Sequence, residues 1–118
     1  MIKTKRVYEE PSLDDGVRVL VDRLWPRGLS REQAKVDYWL KEVAPSDELR
    51  RWFGHDPEKW EEFKERYWRE LDAKRDVVER LVEIIKTSGT VTLLYAARDP
   101  DRNNAVALRE YLKARYGL

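Results

Sequence analysis

The chain contains no cysteine. That absence removes disulfides, thiolate nucleophiles and every cysteine-bearing zinc or iron-sulfur arrangement. A single histidine, His55, cannot supply a cluster of imidazole ligands. Any metal chemistry would therefore rest on carboxylates, and no Asp/Glu spacing here resembles a calcium loop. The expectation is no transition metal, no structural zinc and no cofactor. Long apolar runs are missing too, so no segment reads as a membrane span. The opening MIKTKRVYEEP lacks the apolar centre of a secretory signal, and the expectation is a soluble cytoplasmic protein with no membrane partner.

An excess of one charge is also lacking: 24 Lys and Arg face 23 Asp and Glu, for a net charge of +1. General nucleic-acid binding draws its affinity from neutralising many phosphates, so a chain this close to neutrality is poorly suited to it, although a local basic patch stays open. Methionine occurs once, while charged residues make up 40% of the chain. That pattern is common in proteins from hot environments, and thermostability is expected. The length of 118 residues suits one domain with its own core.

What is present organises readily. Ile2 to Tyr8 alternates weakly and is rich in β-formers, which predicts a first strand, at a sheet edge. Turn residues Pro11, Ser12, Asp14, Asp15 and Gly16 follow. Val17 to Val21 is apolar except for Arg18, as in a strand covered on both faces. About eight residues separate the two, and a parallel crossover normally needs about a dozen or more. A hairpin is the local default, and their relative direction stays open. Ser30 and Gln33 have capping-box spacing, and Val36, Trp39, Leu40 and Val43 recur at helical intervals, predicting a helix that Pro45 stops. Ser46 opens a short helix with Leu49, Trp52 and Phe53 inward and Gly54 at its end.

Asp56-Pro57 is a second start signal, for a helix from about Pro57 to Leu71 with Trp60, Phe63, Tyr67 and Leu71 on one stripe. Val77, Val78, Leu81, Val82 and Ile85 form another stripe, which Gly89 can end. Thr90 to Ala97 is the clearest strand. Asp99-Pro100 then repeats the cap-and-proline pattern, predicting a last helix from about Pro100 to Tyr116. The organisation is that of one α/β domain. It has a small, mainly parallel sheet of about three strands flanked by helices, with a helical insertion between the second and last strands. Val17 to Val21 and Val91 to Ala96 are expected to lie adjacent or nearly so, and parallel.

Both apolar strands end in a charged pair, Asp22-Arg23 and Arg98-Asp99, and crevices in open α/β sheets form outside the carboxyl ends of the strands. Asp22 and Arg23 are either a ligand-binding or catalytic pair or a structural ion pair at the sheet end. Arg27, between Pro26 and Gly28, sits where a guanidinium can meet a phosphate or carboxylate. Trp25 can stack on a ring or pack over the rim of the core. His55 is the obvious acid or base by its ordinary pKa, or simply orders a helix junction. Arg98 is the strongest single anion-binding candidate, next to the start of the last helix. Asn103 and Asn104 either read a ligand's polar edge or are exposed first-turn residues.

Four segments carry a likeness: VLVDRLWPRGLS at Val19 to Ser30, APS at Ala44 to Ser46, WFGHDPEKWEEF at Trp52 to Phe63, and LLYAARD at Leu93 to Asp99. Together, and in this order, they resemble the YeaO-like branch of the DUF-488 family. The resemblance implies a compact α/β fold and names no reaction. Wider members of the group often carry a Cys-His-Arg run after the last strand, where this chain has Arg102, Asn103 and Asn104. The departure implies either different chemistry or a fold kept as a binding module.

Three functions follow. The leading one is an anionic small-molecule or nucleotide-fragment site at the strand tips, serving hydrolysis or group transfer, with Arg23, Trp25, Arg27, Arg98, Asn103 and Asn104 binding and Asp22 and His55 as acid or base. The second is a non-catalytic binding or adaptor module. The third, weaker, is RNA or single-stranded DNA contact through Arg and Trp. The oligomeric state stays open.

Overall fold

The computed structural model describes residues 1–118. Four strands, β1 (Ile2–Arg6), β2 (Val17–Leu20), β3 (Tyr38–Trp39) and β4 (Val91–Tyr95), form one sheet in the order β1-β4-β2-β3. Every pairing is parallel, with Ile2 opposite Val91, Val19 opposite Leu93 and Val19 opposite Tyr38. The last strand in the chain is thus central. All five of its residues are buried, which accounts for its near-continuous apolar run, since a central parallel strand is covered on both faces.

The relative direction of the first two strands, open from sequence, is not that of the local-default hairpin. They run parallel with β4 inserted between them, and residues Val7 to Gly16 carry the chain back along the sheet. Gly16 makes that return fit. It has φ +64, and a Cβ there would lie 2.2 Å from the Thr90 carbonyl oxygen, to which Val17 N donates at 2.9 Å. Only a residue without a side chain lets β2 start this close to β4.

Side chains alternate across the sheet as strand geometry requires. Val19, Val21, Val91, Leu93 and Tyr95 enter the larger core cluster, while Leu20 and Leu94 join Val7 and Ala34 on the other face. The larger cluster is closed by α2 (Asp47–Phe53), α3 (Trp60–Asp72), α4 (Arg75–Thr87) and α5 (Asn104–Tyr116). Ser46 caps α2, and Phe63, Tyr67 and Leu71 form the buried stripe of α3. Val78, Leu81, Val82 and Ile85 do the same for α4.

Two predicted helices are corrected. The Ser30–Gln33 capping box forms, but the helix it opens, α1 (Arg31–Ala34), lasts one turn. Lys35 turns left-handed, and the Arg18 guanidinium takes the carbonyls of Ala34 and Lys35 at 2.8 and 3.1 Å. Asp37 then pairs with Arg18 through both backbone and side chain, drawing the chain into β3. The apolar residues at helical spacing are consequently split between strand, 3-10 turn and loop, and the sheet gains a fourth strand. At the other end, Asp99 accepts from the amides of Asp101 and Arg102, closing a local turn instead of capping a helix. α5 starts at Asn104, capped by Asn103, whose side chain accepts from Val106 N at 3.0 Å.

Arg18, the one charge in β2, is 4% exposed and pairs with Asp15 at 2.6 Å. Lys5 reaches the same carboxylate at 3.2 Å. Burial pushes the Asp15 carboxyl up, but hydrogen bonds from Ser12 N, Lys5 and Arg18 outweigh it and hold its pKa below the usual value.

Candidate functional site

Past the carboxyl ends of β2 and β4, where such sheets leave a crevice, lies a cavity of about 380 Å³. Its size falls in the range of small-molecule pockets. β2 delivers Asp22 and Arg23, and the following loop delivers Trp25 and Arg27. The segment after β4 contributes Ala96 and Ala97, and the start of α5 contributes Asn103 and Asn104. Arg50 and Phe53 come from α2, and His55 from the turn behind it.

Asp22 is the anchor of this arrangement. Its Oδ2 accepts from Ala96 N at 2.9 Å, and its Oδ1 from Asn104 Nδ2 at 2.9 Å. Asn104 Nδ2 also reaches the Val21 carbonyl at 3.0 Å, so one amide ties the tip of β2 to the first turn of α5. Burial pushes the Asp22 carboxyl above its ordinary pKa, opposed by the bonds from Asn104 and Ala96 and by the charges of Arg50 and His55. The desolvation of an ionised group costs more here than two neutral donors return.

The walls are cross-linked by hydrogen bonds and ring contacts. Trp25 Nε1 donates to the Leu29 carbonyl at 2.7 Å, and its ring meets Trp39 edge-on at 5.5 Å between centroids, with the Arg31 guanidinium 5.0 Å from its centroid. Trp39 Nε1 in turn donates to the Asp22 carbonyl at 2.8 Å. Opposite, Phe53 stacks on Phe63 at 4.3 Å. The segment Ala44 to Ser46 is fixed from three sides. Arg23 Nη2 donates to the Ala44 and Pro45 carbonyls at 3.4 Å, Lys74 Nζ to Ala44 at 3.1 Å, and Ser46 Oγ to Glu70 at 2.6 Å. Tyr67, buried beneath, donates to the Val43 carbonyl at 2.6 Å, and burial raises its pKa well above the ordinary value.

Charge is unbalanced inside the cavity: Arg23, Arg27 and Arg50 line it against the single carboxylate of Asp22. Arg23 and Arg50 both lean on Asp47, at 3.9 and 3.3 Å, a half-exposed partner that water screens. Arg27 is exposed, and its carbonyl accepts from the Tyr8 hydroxyl at 2.7 Å.

Of the residues singled out from sequence, seven line one cavity: Asp22, Arg23, Trp25, Arg27, His55, Asn103 and Asn104. Arg98 does not. It is exposed and lies one residue beyond the lining, because β4 ends at Tyr95 and the chain turns away after Ala97, whose carbonyl is held by Arg6 Nε at 3.1 Å. Asn103 is 2% exposed and engaged as the helix cap, with its Nδ2 on the Asp99 carbonyl. His55 is exposed at the rim with φ 59, a left-handed conformation that few residues other than glycine adopt. Sequence reasoning missed Arg50, Phe53, Phe63 and Tyr8 as lining residues. Arg50 has a faint signal, three residues before the inward Phe53 on α2, although its neighbour Arg51 carries the same charge.

Over residues 1–117 the chain matches DUF488-N3i, described as the inactive DUF488-N3 subclade. The chain belongs to that family. Among the chain's relatives, the uncharacterized protein Rv3073c of Mycobacterium tuberculosis strain H37Rv is 42% identical over 97% of this chain and 95% of its own. The uncharacterized protein YeaO of Escherichia coli strain K12 is 40% identical over 96% of this chain and 97% of its own. No solved structure matches the chain. No helix is long and apolar enough to cross a membrane.

Proposed function

We propose that this protein is a non-catalytic binding module that takes a small organic anion into the crevice at the strand tips. The observation that carries this reading is the composition of the lining. Three guanidiniums meet aromatic walls and one carboxylate, and none of the 17 lining residues is a serine, threonine, cysteine or lysine. Guanidiniums in a partly enclosed cavity favour carboxylate or phosphate groups, and the aromatic walls favour an attached ring. A covalent mechanism through an aliphatic hydroxyl, a thiol or an amine lacks its nucleophile there. The description of the family as inactive points the same way.

The competing reading is a hydrolase or transferase with Asp22 and His55 as acid and base. His55 is exposed at the rim and no group hydrogen-bonds its ring to orient it, which weighs against that assignment. The test is a thermal-shift panel of inorganic phosphate, nucleoside monophosphates and aromatic carboxylates, followed by mass spectrometry of each hit after long incubation. A ligand at about a hundred times its Kd stabilises the fold by about 2.7 kcal/mol. The expected result is a stabilising anion, recovered unchanged, whose effect is lost in Arg23→Ala/Arg50→Ala. A panel without any hit, or a shift that survives the double substitution, refutes the binding reading. Product formed by wild type and abolished in Asp22→Asn would establish the enzymatic one.

A further inference from the structure

We infer that the ligand of this cavity is amphoteric: an anionic group held by the arginines, and an N–H donor group directed at Asp22. The inference rests on the reading of the cavity as an anion site and adds the second half of the ligand.

Asp22 is the only carboxylate in the lining. Its two hydrogen bonds come from neutral donors, one backbone amide and one carboxamide, on different oxygens. A carboxylate offers about four acceptor positions, so about half of its capacity remains unused. Two guanidiniums of the lining are engaged elsewhere: Arg23 with the carbonyls of Ala44 and Pro45, and both Arg23 and Arg50 with Asp47. Buried charges in proteins are paired, because stripping water from an unpaired one is costly. Asp22 is half-buried, feels Arg50 and His55 only through longer-range charge, makes no direct ion pair, and faces the cavity.

A ligand bearing only acceptors would displace water from Asp22 and return nothing, adding repulsion between its anion and the carboxylate. An ammonium, or the N–H edge of a heterocycle, supplies the missing partner while the arginines take the anion. The aromatic walls at Trp25 and Phe53 set the remaining requirement, a flat ring attached to these two polar groups. Aromatic α-amino acids and nucleotides whose base presents N–H groups share this chemistry.

Matched pairs separate these sources and test the principle. L-phenylalanine is compared with 3-phenylpropionate, which lacks the ammonium. Guanosine 5′-monophosphate is compared with purine riboside 5′-monophosphate, which lacks the N–H edge. Calorimetric titration at pH 8 of wild type and Asp22→Asn should show, in at least one pair, binding at least tenfold tighter for the donor-bearing member. In Asp22→Asn the preference should shrink to about threefold or less while the anion still binds, because a site built to hydrogen-bond a group rejects the analogue lacking it. If Asp22→Asn does not fold, the wild-type ratios decide alone. Equal or tighter binding of the donor-free member in both pairs, abolished by Arg23→Ala/Arg50→Ala, overturns the amphoteric ligand and leaves the anion site standing. Absence of binding by all four compounds overturns both.

Discussion

Deleting the Arg18 guanidinium should cost about 4 kcal/mol of folding stability. The side chain is 4% exposed and makes three bonds: to Asp15 at 2.6 Å, to the Ala34 carbonyl at 2.8 Å and to the Lys35 carbonyl at 3.1 Å. Removing one partner of a buried ion pair costs about 3 to 5 kcal/mol. Asp15 keeps Lys5 at 3.2 Å and the Ser12 amide at 2.9 Å, which places this part near the lower limit. The two carbonyls add about 0.5 to 1 kcal/mol between them, because Lys35 borders solvent and water replaces part of what is lost. The matched control is Arg98→Ala, the same deletion at an exposed position, which should change stability by no more than about 0.5 kcal/mol. Urea unfolding of both variants beside wild type makes the comparison. An Arg18→Ala loss below about 1.5 kcal/mol would refute the reasoning, since the charge in β2 would then be a tolerated passenger and not the group that ends α1.

Two further outcomes concern the sheet and its acids. Gly16→Ala should destabilise by about 3 kcal/mol or more, measured by thermal melting, because its Cβ would collide with the Thr90 backbone at 2.2 Å from a positive-φ position. Acid titration should separate Asp15 from Asp22. The folded pKa of Asp15 is lowered, so its contribution is complete above the unfolded value near 3.9 and is lost as pH falls through the folded one. Asp22 is raised, so its ionised form costs stability above its folded pKa, and protonation relieves that cost as pH falls. Urea midpoints measured across the acid range should therefore show Asp15→Asn flattening the loss below about pH 4, and Asp22→Asn removing an opposing gain above it.

Local signals served well where partners are close in sequence. Ser46 at the cap of α2, the Phe63, Tyr67 and Leu71 stripe, and the β4 run are decided within a few residues. The segment after Ser30 is decided by Arg18, which lies far upstream and takes the carbonyls that a continuing helix would need. Helical spacing cannot register that competition. Asp99-Pro100 has the composition of a cap, but the next two amides satisfy Asp99 locally and the helix waits for Asn103. The strand tips pointed to Asp22, Arg23, Trp25 and Arg27 because parallel strands must end on one side. Arg98 was legible as a charge near a strand end, but whether a residue past Ala97 faces the crevice depends on where the chain bends. Arg50 enters from α2 through tertiary packing, which no short-range pattern encodes.

The central place of β4 has a consequence for how the chain acquires its shape. β1 and β2 share no hydrogen bonds; each is paired through a strand that begins at Val91. Even the terminal ammonium of Met1 binds the Gly89 carbonyl, and Val91 N returns a bond to the Met1 carbonyl. The first strand thus emerges from the ribosome about 90 residues ahead of its only neighbour, several seconds at ordinary synthesis rates. Until β4 is made, the edge of β2 that will face it stays unpaired and apolar, the kind of surface that associates with other chains. Closing so long a loop is slow relative to making local helices. Assembly is therefore expected to begin among α2, α3 and α4, with the sheet zipped last from its middle outward.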